Sequence, residues 1–447
     1  MASVQHDFSQ GSVKKLILSQ ALPLTVAQSV QLLYNIVDRI YIGHLEGVGE
    51  LALTGLGITF PVIVLIAAFT ALFGTGGSTL FAIARGKGDR EEAENVMGNV
   101  FALLLGFSVI LFFVSYFFRR DILFLFGASE ESFVYADMYL RIYLFGTAFS
   151  MLSTGLNGYI NAQGFPKIGM LTTVLGAALN VALDPLFIFA FDMGVRGAAL
   201  ATVLSQAVSA LWVLCFLTGK KAVVNLRLRS MRLRGDMLRS ILSLGFPGFV
   251  MQGTNSLVSI ACNTRLQLYG GDTYVAIMTV TNSIREMLFV PSLGITRGAQ
   301  PILGYNYGAK KFERVKEGIR FATVVDVIYL LVAWITVMLI PGALMGLFTD
   351  NPVVVEQGSR MLNIYFFGFV FMALQAAGQT TFQALGKAKQ AIFFSLLRKA
   401  IIVVPLTFIL PAVGFGVEGV FLAEPVSNVI GGIAAFTTMW FMVYKKL

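Results

Sequence analysis

The sequence predicts an all-α polytopic membrane protein with twelve transmembrane helices in two six-helix, pseudo-symmetric lobes. Three observations lead to this prediction: an apolar composition, twelve long apolar stretches and an internal repeat. Of the 447 residues, 56% are hydrophobic and only 13% are charged, whereas a soluble globular domain carries about 25% charged residues. One soluble core cannot enclose so large an apolar share, and many of these side chains are therefore expected to face lipid.

Each apolar stretch contains about 20 residues or more, the length that crosses ~30 Å of hydrocarbon at a rise of 1.5 Å per residue. The predicted spans are 16–41, 51–83, 96–117, 136–160, 168–190, 195–217, 241–268, 274–300, 318–340, 360–384, 391–411 and 418–442. The first stretch is too long for a cleavable signal peptide and contains Pro23. It is therefore predicted to be the first membrane helix.

The second half of the chain repeats the first with an offset of 222 residues, which becomes 224 near the start of each half. The matched residues include Gly86 with Gly308, Glu91 with Glu313, Gly164 with Gly386, Lys167 with Lys389, Ser19 and Pro23 with Ser243 and Pro247, and Gly194, Val195, Gly197, Ala201 and Ser205 with Gly416, Val417, Gly419, Ala423 and Ser427. An even number of helices per copy gives both copies the same orientation in the membrane, as in parallel-repeat transporters.

The basic residues predict both the orientation and the domain boundaries. If the N-terminus is cytoplasmic, 22 Lys and Arg residues lie in cytoplasmic segments and 5 in outer ones, so the positive-inside rule places both termini in the cytoplasm. Seven of the 22 fall in 219–240, a basic cytoplasmic linker between an N-terminal lobe (1–218) and a C-terminal lobe (241–447). The net charge of +9 therefore indicates topology rather than a nucleic-acid partner, while contact of the linker with anionic lipid stays open.

Two acids within the apolar spans of the first half are candidates for a function. Asp38 lies near the outer end of the first span and Asp184 lies well inside the fifth. An aspartate inside a membrane costs about 2.5–3.5 kcal/mol, so both are expected to face protein or water and to have a function. Asn180, one turn earlier, shares the helix face of Asp184, and Pro185 frees a backbone carbonyl oxygen. The structural alternatives are an interfacial pair of Asp38 with Arg39 and a simple kink at Pro185.

The second half has Cys262 and Leu406 where the repeat places the two acids of the first half. A substrate cavity is predicted there, because methionine adapts to ligands of many shapes, and its predicted lining is Met251, Gln252, Asn255, Met278 and Met287. A charge network is predicted from Arg285, Glu286, Arg297, Arg398 and Glu424, with Lys399 beside it. For Arg285 and Glu286 a structural ion pair is an equal alternative. Asp326 is expected to reach the cytoplasmic interface.

Several other functions lack the residues they need. Gly-Thr-Gly-Gly-Ser at 74–78 follows no strand and has no closing lysine, so it predicts close helix packing rather than a nucleotide loop. His6 and His44 are isolated, which argues against a histidine metal centre, and Cys215 and Cys262 suggest no disulfide. An intramembrane enzyme would require a nucleophile with its base or a metal cluster, and neither pattern is present.

Five separated motifs make the chain resemble the multidrug and toxic compound extrusion (MATE) family, in particular its bacterial MepA-type branch. The motifs are Val37-Asp38-Arg-Ile-Tyr-Ile-Gly43-His-Leu, Asn180-Val-Ala-Leu-Asp184-Pro185, Gly194-Val-Arg-Gly197-Ala-Ala, Gln300-Pro301-Ile-Leu-Gly304-Tyr-Asn306-Tyr-Gly308-Ala-Lys310 and Gln383-Ala-Leu-Gly386-Lys387. The resemblance implies a MATE/MOP-type fold and a cation- or proton-coupling site formed by Asp38, Asn180, Asp184 and Thr202. Without it, Thr202 is typical of a helix-packing threonine. Some relatives also use acids in spans seven and ten, and this chain has none there.

The resemblance further implies a secondary active multidrug efflux antiporter that exports organic cationic and lipophilic compounds in exchange for H⁺ or Na⁺. No cofactor besides that ion is expected, and the protein is expected to be a monomer in the bacterial cytoplasmic membrane, surrounded by lipid. The alternative is a lipid-linked saccharide flippase of the same superfamily, which would need a strongly cationic cavity for pyrophosphate. The first-half helices offer mostly aspartate instead.

Overall fold

The computed structural model describes residues 7–43, 45, 49–348 and 351–447, and every regular element within them is helical. His6 and His44 lie outside the described residues. The α-helices are α1 (Val13–Gly43), α2 (Gly49–Lys87), α3 (Arg90–Phe117), α4 (Arg119–Leu125), α5 (Glu130–Phe145), α6 (Thr147–Ala162), α7 (Pro166–Pro185), α8 (Gly194–Thr218), α9 (Gly235–Gly308), α10 (Phe312–Leu339), α11 (Pro341–Gly346), α12 (Pro352–Phe366), α13 (Phe371–Ala384), α14 (Ala388–Leu396), α15 (Val404–Leu410) and α16 (Gly416–Met442). The chain forms π-helices at Leu186–Ala190, Leu397–Val403 and Pro411–Phe415, and 3₁₀ turns at Leu228–Met231 and Tyr444–Lys446.

All twelve predicted spans fall on helical segments, and the all-α membrane fold is confirmed. By length and apolar character alone, seven of the described helices can cross a membrane, or eight if α12 and α13, which meet at 47°, form one span. The number is lower than twelve because two predicted spans can lie in one helix, and one predicted span can be divided between two helices. Spans seven and eight both lie in α9, which breaks at Gly271, where φ is 67°, and span four is divided between α5 and α6.

The described residues form two compact units, and each contains part of α1 and part of α9. The first unit comprises Asp7 and Val26–Phe249, and the second comprises Phe8–Thr25 and Val250–Leu447. The first part of α1 therefore belongs to the second unit, and the first part of α9 belongs to the first unit. These ranges are not the lobes predicted at 1–218 and 241–447, which stay a prediction.

Glycines in α2 allow the helices of the first unit to approach closely. A Cβ added at Gly74 would lie 2.8 Å from Cα of Gly155 in α6, and one added at Gly76 would collide with the backbone of α9 at Ile241. Only hydrogen fits between these backbones, because real Cβ atoms do not approach other atoms so closely. The run at 74–78 is thus a helix-packing motif, as the sequence predicts.

The N-terminal segment of the second unit is held by side chains around the end of α9. Asn306 Nδ2 donates a hydrogen bond to the carbonyl oxygen of Phe8 at 3.1 Å, and Arg314 Nη1 donates to the carbonyl oxygen of Gly11 at 2.8 Å. Further along, Gly298 packs against the backbone of α1 at Ala21. These contacts fix the first half of α1 in the second unit.

The sequence repeat reappears as a repeated structural element. In each half a π-helix precedes a glycine with positive φ, Gly194 at 54° and Gly416 at 51°. Three residues later, Gly197 and Gly419 touch the backbone of the preceding segment: an added Cβ would lie 2.7 Å from the carbonyl carbon of Phe187 in the first half, and 2.8 Å from that of Leu410 in the second. Both halves thus build the same tight helix–helix junction from equivalent residues.

Candidate functional site

Asn180 and Asp184 occupy one face of α7 inside the first unit, as their spacing predicts. Asn180 is 2% exposed and Asp184 is 0% exposed. The amide Nδ2 of Asn180 donates a hydrogen bond to Asp184 Oδ1 at 3.2 Å. Pro185 then ends α7, and the π-helix Leu186–Ala190 follows. A buried carboxylic acid is thereby held by a neutral amide.

Thr202 reaches the same cluster from α8. Asn180 Nδ2 also donates to Thr202 Oγ1 at 3.4 Å, and the Thr202 hydroxyl donates its own proton to the carbonyl oxygen of Ala198 at 3.0 Å. The junction of Gly197 with the π-helix brings α8 close enough for these contacts. Because its proton is used within α8, Thr202 offers oxygen lone pairs to the cluster.

Asp38 approaches the cluster from α1, in the part of that helix that belongs to the first unit. It is half-buried and lies close enough to Asp184 for the two carboxylates to interact electrostatically. The neighbouring Arg39 is exposed and forms no ion pair with Asp38 within 4.0 Å among the described residues. The structure therefore places Asp38, Asn180, Asp184 and Thr202 in one group, while Arg39 interacts with Asp38 electrostatically and without a direct ion pair.

Three tyrosines that the sequence did not single out complete this group. Tyr34, one turn before Asp38 on α1, interacts electrostatically with both acids. Tyr139 on α5 interacts electrostatically with Asp38, and its ring stacks on that of Tyr143 at 5.8 Å between centroids. The i, i+4 spacing of Tyr34 and Asp38 is a signal that sequence reasoning could have used. No local signal linked α5 to the acids.

The chemistry of the cluster is that of a cation site, because its unpaired buried atoms are oxygens. Three oxygen atoms are buried and have no hydrogen-bond partner in the described part of the chain: Asp38 Oδ1, Asn180 Oδ1 and Asp184 Oδ2. Leaving a buried acceptor unpaired costs about 1–3 kcal/mol. A proton would turn one carboxylate oxygen into a donor, and a hard cation such as Na⁺ would be bound by several of these oxygens at once.

The second unit has a buried charge network in place of such a pair of acids. Glu424 Oε1 accepts hydrogen bonds from Lys399 Nζ at 2.8 Å and Arg398 Nη1 at 2.9 Å, and Arg285 Nη1 lies 3.9 Å away. Three residues of the predicted network, Arg285, Arg398 and Glu424, thus come together with Lys399. The two others are exposed: Glu286 interacts with Arg285, and Arg297 forms no ion pair among the described residues.

The residues predicted to line a substrate cavity differ in how far they are buried. Met251 and Met287 are each 40% exposed, and Gln252 and Asn255 are half-buried. Met278, in contrast, is 3% exposed and belongs to the hydrophobic core of the second unit. In this structure Met278 is therefore a core residue and not a lining residue, because its helix face is covered by other apolar side chains.

The helical fold and the buried ionisable groups inside apolar helices define a polytopic membrane transport protein, which is not an enzyme. The chain belongs to the MatE family, whose sequence model matches residues 23–186 and 247–409. The two matches begin 224 residues apart, in agreement with the internal repeat.

Named relatives and solved structures cover nearly the whole chain. It is 27% identical over 440 residues to the multidrug export protein MepA of Staphylococcus aureus, covering 97% of this chain and 95% of that protein. A crystal structure of MATE in complex with MaL6 superposes with a TM-score of 0.92 at 27% identity, covering 98% and 99% of the two chains. An outward-facing MATE family transporter of the MOP superfamily gives a TM-score of 0.91 at 27% identity, with 98% of each chain covered.

Proposed function

We propose that the protein is a secondary active multidrug efflux antiporter that exports organic cationic and lipophilic compounds in exchange for H⁺ or Na⁺. The observation that carries this proposal is the cluster of Asp38, Asn180, Asp184 and Thr202, in which carboxyl, amide and hydroxyl oxygens from α1, α7 and α8 converge. A relative named for multidrug export matches 97% of the chain, which supports the substrate class.

The cluster has the properties that an exchange site requires. Two nearby carboxylates in a low-dielectric interior repel each other, so binding one cation is favourable. The tyrosine rings beside them attract organic cations through their faces. An organic cation and the coupling ion would therefore compete for the same negative charge, and loading of the ion would weaken the binding of the drug.

The path of α1 offers a way to couple ion binding to conformational change. Asp38 lies in the part of α1 that belongs to the first unit, whereas Val13–Thr25 belongs to the second. Ion binding at Asp38 changes the contacts of one end of a helix whose other end is held by Asn306 and Arg314. Pro23 lies inside α1 and removes one backbone hydrogen bond, which makes the helix easier to bend.

The remaining features of the proposal follow the sequence predictions. The protein is a monomer in the bacterial cytoplasmic membrane, with both termini in the cytoplasm because of the bias of basic residues. Lipid surrounds its apolar surface, and no cofactor other than the coupling ion is needed. Met251, Gln252, Asn255 and Met287 remain the proposed lining of the drug cavity.

The experiment is ethidium transport by purified protein in proteoliposomes, with a proton gradient and a sodium gradient imposed separately. Transport under one of the two gradients identifies the coupling ion. Asp184→Asn should abolish gradient-driven transport, because the amide keeps the size of the side chain but can neither bind a proton nor carry charge.

Asp236→Asn is the matched control, since Asp236 is an exposed aspartate in the same unit that forms a surface ion pair with Arg234 at 2.9 Å. Its transport should equal that of the wild-type protein. Wild-type transport by well-folded Asp184→Asn would remove the proposed coupling role, and transport that ignores both gradients would contradict the antiport mechanism as a whole.

A further inference from the structure

Asp326 is a buried carboxyl group that the proposed coupling site does not use. It lies in α10 of the second unit, is 1% exposed, and neither of its oxygens has a hydrogen-bond partner among the described residues. The sequence suggested that this side chain reaches the cytoplasmic interface, and the structure instead encloses it in protein. A carboxyl group inside an apolar span is costly unless it serves a function.

Asp326 lines a small, mainly apolar cavity between α9, α10 and α13. The other polar side chains of this cavity are Thr296, Thr323, Thr380 and Thr381, and alanine, leucine and isoleucine complete the wall. Its volume is ≈ 10 Å³, which is near the lower limit of about 10–15 Å³ at which a cavity can hold one water molecule. The space suits a proton with its hydrogen bonds or one very small ligand, and excludes a drug.

Two of the threonines beside Asp326 direct their hydroxyl protons away from its carboxyl group. Thr296 donates its hydroxyl proton to the carbonyl oxygen of Ser292 at 3.0 Å, and Thr323 donates to that of Ile319 at 2.7 Å. Both hydroxyls therefore present lone pairs. The Ser292 hydroxyl faces the carboxyl group, yet neither group has a hydrogen-bond partner in the structure.

No cation neutralises Asp326 among the described residues. The titratable group that interacts with it is Tyr329 on the same helix, whose hydroxyl donates to the carbonyl oxygen of Leu288 at 2.8 Å. The residues of α9 and α13 that line the cavity are threonines and apolar residues. An ionised Asp326 would thus be a buried charge with neither a counterion nor a hydrogen bond among the described residues, an unstable arrangement for an acid.

We propose that Asp326 is a proton-binding site of the second unit. A protonated carboxyl group is neutral, and its O–H can donate to one of the hydroxyl oxygens that surround it. Binding of a proton neutralises the carboxylate of Asp326 and gives it an O–H donor. Neither effect requires a change in the cavity. This site is separate from the cluster around Asp184, and the inference does not depend on the proposed transport function.

Infrared spectroscopy of the purified protein tests the proposal without measuring transport. The carbonyl stretching band of a protonated carboxyl group is separate from the two bands of a carboxylate. The difference spectrum of wild-type protein minus Asp326→Asn at neutral pH, in sodium-free buffer, should contain one protonated-carboxyl band, equivalent to one of the 24 acidic side chains. Carboxylate bands in that difference would overturn the proposal.

The same measurement with added sodium distinguishes a proton-binding site from an alkali-cation site. Adding NaCl in place of choline chloride at constant pH should leave the band unchanged, whereas its replacement by carboxylate bands would assign the site to Na⁺ and overturn the proposal. If Asp326→Asn does not fold, Asp326→Glu and wild-type protein carrying ¹³C-labelled aspartate provide the comparison. The isotope shifts the carbonyl band of a protonated aspartate. If no band appears in the shifted region, the proposal is overturned as well.

Discussion

Glu424 lies in the second half of the chain at the register position that Thr202 holds 222 residues earlier. Thr202 is a neutral hydroxyl next to acids, whereas Glu424 accepts hydrogen bonds from Lys399 and Arg398 at 2.8 and 2.9 Å. The duplicated scaffold therefore carries opposite local charge at corresponding positions. A monovalent cation is attracted by the environment of Thr202 and repelled by that of Glu424.

The Glu424 network is expected to stabilise the second unit mainly by neutralising its own cations. Glu424→Gln would leave Lys399 and Arg398 buried without a carboxylate, and breaking such a pair costs about 3–5 kcal/mol. A clear fall in the melting temperature of the detergent-solubilised variant is therefore expected. Thermal unfolding followed by tryptophan fluorescence or differential scanning measures it.

The double variant Lys399→Met, Glu424→Gln is the control for charge. It removes one cation together with the carboxylate, so it should recover part of the stability that Glu424→Gln loses. If the two variants melt at the same temperature, the loss is due to altered packing and not to the uncompensated charge.

The hydroxyl of Thr202 is expected to contribute to binding of the coupling ion. Thr202→Val keeps the shape but removes the oxygen that accepts from Asn180, and loss of one neutral interaction of about 1 kcal/mol corresponds to roughly a fivefold weaker apparent affinity. Thr202→Ser retains the oxygen and should remain near wild type. The ion concentration for half-maximal ethidium transport is the measurement, and equal values for the valine and serine variants would speak against a ligand role.

Gly197 should be intolerant of any side chain, because it sets the distance between α8 and the π-helix before it. In Gly197→Ala the new methyl would lie 2.7 Å from the carbonyl carbon of Phe187, and overpacking of this kind typically costs about 1–3 kcal/mol. The expected result is a lower melting temperature together with weaker ion binding, since the Asn180–Thr202 contact spans the same junction.

Gly57→Ala provides the matched comparison. Gly57 lies inside α2, and an added Cβ would meet no described atom within 4 Å outside the adjacent residues and the helix's own backbone. Alanine is favoured over glycine in a helix by about 0.5–1 kcal/mol. This variant should be as stable as wild type or slightly more so. A comparable loss of stability in both variants would show that the close approach at Gly197 is not the cause.

Helical periodicity and membrane energetics were sufficient to predict part of the site. The i, i+4 spacing of Asn180 and Asp184 placed both side chains on one face, and the cost of an acid in a span marked Asp38 and Asp184 as functional candidates. These inferences use only local geometry and a transfer free energy. Thr202 needed the family resemblance, because a threonine near small residues is equally typical of helix packing.

The features that the sequence did not predict depend on contacts between distant segments. Tyr139 lies more than 40 positions before Asn180 and Asp184, and no local pattern indicated that α5 would pack on α8 beside them. The burial of Asp326 depends on α9 and α13 covering it, whereas hydropathy alone left it near a membrane interface. The ion pair of Glu424 with Lys399, which lie 25 residues apart, could likewise not be predicted from the sequence. It depends on the packing of α16 against the π-helix Leu397–Val403.

The charge balance of the proposed exchange gives a last prediction, which concerns the membrane potential. If one monovalent coupling ion enters for each monovalent organic cation that leaves, no net charge crosses the membrane, and a potential does no work on the cycle. An additional ion per cycle would make the potential contribute about 2.3 kcal/mol per 100 mV.

The single cluster around Asp184 supports one-for-one exchange, so ethidium transport in proteoliposomes should respond to the imposed ion gradient and not to a potassium–valinomycin potential. Potential-driven transport in the absence of an ion gradient would require more than one ion per cycle and would contradict a single coupling site.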